Sequence, residues 1–208
     1  MKRATRKTYR TREDIRSFFK SQGLIYLERT RIDWQPLRSM TLDQSPYYLE
    51  NLAYFLQLCR TYGEMIRQGA KAPIDIRRID DSVGFGVYAT QNIDKDAFIG
   101  EYAGVVQLAD ADAGRALDAG GFESDYAWYY LDDVPDAPDL EINGRLEGNE
   151  LRFVNHSDSP NVEVEHTLFE GQWIILFTAA RDIKKDEQLL ISYGEAYWED
   201  GWRDLKSI

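Results

Sequence analysis

Residues 148–161 read GNELRFVNHSDSPN, and they hold one of only two histidines in the chain. An apolar pair, Phe153 and Val154, runs straight into Asn155, His156, Ser157 and Asp158, with Pro160 closing the stretch. Side chains of this kind favour turns and cost free energy when buried without partners. One reading is a polar turn in which Asn and Asp bond their own backbone. A second is a hydrolase, because His156, Ser157 and Asp158 are the three residue types of a catalytic triad. Consecutive residues point in divergent directions, however, whereas a triad draws converging side chains from separate segments.

Outward from this stretch the chain alternates between short strand-like runs and turns. IDIRRI (74–79), GFGVYAT (84–90), FIGEYAGVV (98–106), VEVEHTLF (162–169), WIILFTA (173–179) and QLLISY (188–193) are β-branched or alternating. Turn residues separate them. The fold class expected is mainly β, within α+β, with helices at the amino terminus. There, Thr11 and Asp14 form a capping pair ahead of Ile15, Phe18 and Phe19, and Gly23 supplies a stop. Ser45 and Pro46 open a second helix expected to run through Leu49, Leu52, Leu56 and Cys59 towards Gln68 and Gly69. Residues 1–73 thus read as a helical segment whose apolar surface suits either a homodimer or burial on its own domain. Residues 74–198 read as the main domain and 199–208 as a tail. Between Asp110 and Glu141 lie ten acids and one base, which read as a long, partly helical insert.

Composition narrows the function classes. The chain has 208 residues, 43% hydrophobic and 29% charged, the balance of a soluble globular protein. No run approaches the roughly 18 apolar residues of a membrane helix, and the basic start lacks the apolar region of a secretory signal. A cytoplasmic or nuclear location is expected, with a secreted effector acting in a host cell as an open alternative. Cys59 is the single cysteine, so neither an internal disulfide nor a cysteine zinc cluster can form. No metal site is expected. Residues 1–20 carry eight Lys/Arg and two acids, so that +6 at the start leaves −17 on the rest of a chain of net charge −11. Such a body repels nucleic acid and steers basic peptides towards itself.

Gly84 and Gly86 flank Phe85 in SVGFGVYAT, where missing side chains let a ligand approach the main chain or simply form a hairpin or bulge. The stretch lacks the third glycine and following helix of a dinucleotide fingerprint. Four motifs then occur in order: GFGVYA (84–89), GEYAGVV (100–106), GNELRFVNHSDSPN (148–161) and DEQLLISYGEAYW (186–198). Together, over about residues 74–198, they resemble the SET domain of protein-lysine methyltransferases.

That resemblance implies a β-clip of small sheets with a threaded, pseudoknot-like crossing, in which the Asn-His-Ser segment surrounds the chain carrying a later tyrosine. It implies S-adenosylmethionine as cofactor, bound by Gly84, Phe85, Gly86, Tyr126, Arg152, Asn155, His156 and Trp198. It implies Tyr193 and Tyr102 as catalytic residues, and a lysine channel lined by Tyr102, Tyr126, Ile191 and Trp202. Which of Trp198 and Trp202 covers the cofactor stays open. The substrate implied is lysine in a basic protein or peptide, a histone or histone-like protein, with acids of the insert as docking partners. A catalytically inactive interaction module with the same fold is the alternative. Two departures stand out: Asp158 replaces a cysteine that many histone-directed members use for a zinc-binding tail, and Ile191 replaces an aromatic residue that governs how many methyls are added.

Overall fold

Local sequence explains where the helices begin. The structure, a computed structural model, describes residues 8–109, 125–131 and 133–194. Its amino-terminal elements are β1 (Thr8–Tyr9), α1 (Arg12–Ser21), β2 (Ile25–Tyr26), β3 (Arg31–Ile32), α2 (Pro46–Glu50) and α3 (Leu52–Gln68). Thr11 and Asp14 cap α1 reciprocally, each side chain meeting the other's backbone N–H, and Gly23 follows at φ 71°. Ile15, Phe18 and Phe19 form its buried face.

The second helix departs from expectation. Ser45 caps it as predicted, but Asn51 (φ −106°, ψ 15°) leaves helical geometry and divides it into α2 and α3. That break shifts the phase of the apolar stripe. Tyr48, Phe55, Leu58, Tyr62 and Ile66 are buried, whereas Leu49 and Leu56 face outward.

The remainder is mainly β: β4 (Ile74–Arg78), β5 (Phe85–Ala89), β6 (Phe98–Tyr102), β7 (Val105–Leu108), β8 (Ala127–Tyr129), β9 (Leu140–Asn143), β10 (Glu147–Gly148), β11 (Asn155–His156), β12 (Val162–Phe169), β13 (Gln172–Ala179) and β14 (Leu190–Ile191). These strands form small sheets ordered β1-β4-β5, β10-β2, β11-β14, β12-β13-β6 and β3-β7-β9-β8. FIGEYAGVV therefore splits between two sheets. Gly104 allows this, because a Cβ there would lie 2.8 Å from the Asn143 backbone. In the acidic insert the described residues 125–131 and 133–141 contribute β8 and the start of β9, where Val105–Leu108 offers an antiparallel partner for Leu140–Asn143. Residues 110–124 lie outside the described residues.

The amino-terminal segment is woven into these sheets. Thr8 pairs with Arg77, Ile25 with Glu147 and Arg31 with Val105. Lys71 Nζ donates to Glu150 Oε1 (2.6 Å) and to the Tyr26 hydroxyl (2.8 Å), tying the segment to the turn at Glu150–Phe153. One large core unites α3 with β6, β12 and β13; a smaller one packs Ile15, Phe18, Phe19 and Ile76 against Phe85 and Phe153. No helix among the described residues is long and apolar enough to cross a membrane.

A parallel pairing defines the crossing. Asn155 is in register with Leu190 and His156 with Ile191, with the β12–β13 hairpin supplying the intervening chain. Ser157 donates its N–H to Ile191 (2.9 Å), while Asn161 accepts from the Leu190 N–H (2.8 Å) and donates to the Gln188 carbonyl (2.8 Å). Both arms of the 154–161 turn thus grip residues 188–193. This is the threaded crossing that the resemblance implies, and the architecture is mainly β.

Candidate active site

Tyr193 leaves the crossing at its carboxyl end. Its backbone N–H meets His156 Nδ1 at 3.1 Å, and its hydroxyl donates to the Val154 carbonyl at 3.0 Å. The His156 ring lies 5.4 Å from the Tyr193 ring and its Nε2 is 3.2 Å from Asp158 Oδ1. Histidine here orients backbone and tyrosine. Ser157 instead accepts from the Ser159 N–H, so the three triad-like residues do not converge.

The glycine motif reaches the same place from the other side. Asn155 Nδ2 donates to the Phe85 carbonyl at 3.0 Å across 70 residues of sequence. Gly84 has φ 83°, a conformation glycine adopts without strain. A Cβ on Gly86 would lie 2.8 Å from Gln188 Nε2, 2.9 Å from Ile79 Cδ1 and 3.2 Å from Asn155 Nδ2. A side chain at 86 would therefore displace the ends of these three side chains. The Phe85 ring turns away from this junction into the α1 cluster, 4.7 Å from Phe18.

A second group of expected residues gathers around Tyr126. The Tyr102 hydroxyl donates to the Tyr126 carbonyl at 2.8 Å, and the Gly144 N–H donates to the same oxygen at 2.9 Å. Burial pushes the Tyr102 phenol well above its ordinary range, so it stays a neutral donor. Arg152 spreads its guanidinium over the Tyr126 ring at 4.1 Å and donates to the carbonyls of Gly144 (2.8 Å) and Arg145 (2.9 Å). Ile191 is buried in the main core beside the crossing. Trp198 and Trp202 lie outside the described residues.

Sequence reasoning missed three contributors. Asn161 clasps the crossing strand on both sides, and its only signal was its place at the end of the opening stretch. Gly144 admits the Tyr102 ring, whose Cζ would stand 2.9 Å from a Cβ there. Trp128 closes the far side of Tyr102 at 5.8 Å.

Residues 84–194, more than half of the chain, match the SET domain family. The chain belongs to the SET domain family. It is 27% identical over 132 residues to the histone-lysine N-methyltransferase EZH2 of Chaetomium thermophilum, covering 63% of this chain and 9% of that protein. It is 30% identical over 145 residues to the histone-lysine N-methyltransferase EHMT1 of Mus musculus, covering 68% and 10%. A solved structure of an active polycomb repressive complex 2 in the basal state matches with TM-score 0.51 and 25% identity, over 61% of this chain and 16% of that one. This SET domain protein thus spans a small part of the length of the relatives it matches.

Proposed function

We propose that this SET domain protein transfers a methyl group from S-adenosylmethionine to the side-chain amine of a lysine in a basic protein, a histone or a histone-like protein. The observation that carries the reading is the crossing, which sets the Tyr193 phenol at Val154, next to Asn155 and His156 and to the glycine loop that Asn155 touches. The residues fit the cofactor. Gly84 has open space where a Cβ would stand, and Gln188 Nε2, packed against Gly86, is a buried donor with no partner among the described residues. Backbone groups at 84–86 and 155–156 and neutral amides suit a zwitterionic ligand with an adenine ring. When bound, S-adenosylmethionine supplies a methyl already activated on a sulfonium.

The protein's part is alignment and exclusion of water. A lysine in water is neutral in a fraction on the order of 10⁻³ to 10⁻⁴ at pH 7, and only the neutral form has the attacking lone pair. Walls that desolvate the amine favour that form. Tyr102, its hydroxyl committed to Tyr126, and Trp128 offer such walls. Tyr193 directs its proton at Val154 and so presents oxygen lone pairs, which suit the N–H of an entering amine. The acidic body attracts the basic flanks of a substrate.

In this reading residues 74–198 form the transfer domain, with 1–73 as its scaffold. The test is incubation with labelled cofactor and a panel of basic proteins, read by mass spectrometry. Label on a lysine side chain is expected. Absence of cofactor binding by calorimetry at millimolar ligand favours an interaction module instead.

A further inference from the structure

Arg152 is buried, 9% exposed, and what holds its guanidinium does not neutralise it. It donates to two backbone carbonyls, the Tyr126 hydroxyl is a further neutral partner, and its guanidinium lies 4.1 Å from the Tyr126 ring centroid and 4.7 Å from that of Phe153. Among the described residues no carboxylate pairs with it. Carbonyl dipoles and ring quadrupoles stabilise a cation while leaving its full charge in place. Burial pulls its pKa down, against the hydroxyls of Tyr126 and Tyr102, yet arginine stays charged in proteins.

The surrounding ionisable groups are otherwise engaged. On its own turn Glu150 is paired with Lys71, and from β10 Glu147 is paired with Arg31. On β9 Glu141 accepts from Gln107 and Asn143. His156 on β11 faces Asp158 and Tyr193. Asp125 immediately precedes Tyr126, and Arg145 adds a second positive charge at the turn that accepts from Arg152. The hydroxyl of Tyr102 and the N–H of Gly144 both anchor the Tyr126 carbonyl. Tyr193 reaches the same stretch through Val154, two residues beyond Arg152. Tyr126 thus lies against the guanidinium, Tyr102 is tied to it through the Tyr126 carbonyl, and Tyr193 is tied to the 152–154 stretch.

We propose that Arg152 is a positioning residue of the lysine channel, holding the Tyr126 wall in place and using its buried positive charge to lower the proton affinity of the entering amine. This rests on the methyltransferase reading above. A like charge in a poorly solvated site disfavours the ammonium form. The amine then loses its proton to solvent at lower pH, and the rate rises at lower pH with it.

The experiment is the pH profile of single-turnover methyl transfer to a lysine peptide, for wild type, Arg152→Met and Arg152→Lys, with cofactor affinity followed by calorimetry. Arg152→Met moves the alkaline rise to higher pH by on the order of one unit. Arg152→Lys keeps the wild-type midpoint with a lower rate, because it retains the charge and loses the planar fork. Coincident profiles for wild type and Arg152→Met overturn the proposal, as does an equal shift in both variants. Should Arg152→Met fail to fold by circular dichroism, NMR titration of a labelled lysine peptide on the wild type and on Arg152→Gln decides, with S-adenosylhomocysteine, which lacks the sulfonium, bound. An amine that titrates at lower pH on the wild type than on Arg152→Gln supports the proposal and equal values overturn it. A wild type that methylates no lysine sinks the methyltransferase reading as well, whereas an active wild type with an unmoved profile sinks this inference alone.

Discussion

The hydroxyl of Tyr193 donates a 3.0 Å hydrogen bond to the carbonyl of Val154, 39 residues earlier in the chain. The bond spans the crossing and orients the phenol oxygen by fixing where its proton points. Asn155 and His156 follow Val154 directly, so one contact ties the proposed catalytic tyrosine to the proposed cofactor segment. In the proposed channel β6 (Phe98–Tyr102) and β8 (Ala127–Tyr129) supply walls, but this bond sets the geometry on which the proposed transfer depends.

Removing that hydroxyl separates chemistry from folding. Tyr193→Phe keeps the ring against His156 and loses one hydrogen bond, a stability cost of about 1 kcal/mol. A preorganised polar group lost from a transition state costs about 10²- to 10³-fold in rate. Methyl transfer measured with labelled cofactor is expected to fall by that factor, with a nearly unchanged melting temperature. Equal labelling by the variant and the wild type removes the catalytic assignment.

Gly86 and Gly84 are expected to differ although they flank one residue. Gly86→Ala drives a Cβ against Gln188, Ile79 and Asn155, and overpacking of this kind costs about 1–3 kcal/mol. Because those neighbours shape the proposed cofactor site, cofactor affinity by calorimetry should drop at least about tenfold, the equivalent of 1.4 kcal/mol. At Gly84 a Cβ meets nothing within 4 Å, but φ is 83°. Gly84→Ala therefore costs stability through backbone strain of about 1–2 kcal/mol and affects affinity less.

How much of this was legible in the sequence depended on how local the cause was. The Thr11–Asp14 cap is an exchange between residues three apart, and the strand runs at 162–169 and 173–179 are a hairpin with continuous register. Leu56 misled because one non-helical residue, Asn51, changes the face that every later residue presents, and Leu49, ahead of that break, lies outside the buried face that Tyr48 gives the short α2. Strand β9 was hidden in acidic surroundings, since Leu140–Asn143 becomes a strand by pairing with a distant segment. Asn155 and Tyr193 were singled out through ordered motifs, and both lie at the crossing. Asn161 and Gly144 were not, because their roles arise only when the crossing and the Tyr102 ring are in place.

Helix α1 is expected to influence the cofactor without touching it. Phe18 lies 4.7 Å from Phe85 and 5.4 Å from Phe153, so it backs both the glycine loop and the 152–154 stretch. Phe18→Ala loses about 3–5 kcal/mol, as buried aromatic truncations do. At temperatures where the variant remains folded, weakened cofactor binding is expected together with faster hydrogen exchange at residues 85–86 and 153–156. Wild-type affinity in a folded variant argues against this mechanical link.

Glu101 gives a prediction whose sign depends on pH. Its side chain is buried and accepts the Thr30 N–H at 3.0 Å. Burial raises its pKa, more than offsetting the Thr30 N–H and the positive charges of Arg29 and Lys71. An acid with a raised folded-state pKa binds its proton more tightly in the native than in the unfolded chain. Stability therefore falls as pH rises from the ordinary value of 4.5 through the raised value, and at neutral pH the ionised carboxylate is a net burden. Glu101→Gln keeps an oxygen for Thr30 and removes the charge. Denaturant midpoints should show the variant more stable than wild type at pH 8 and indistinguishable from it near pH 4. A variant less stable at pH 8 would mean that Arg29 and Lys71 outweigh the desolvation of Glu101.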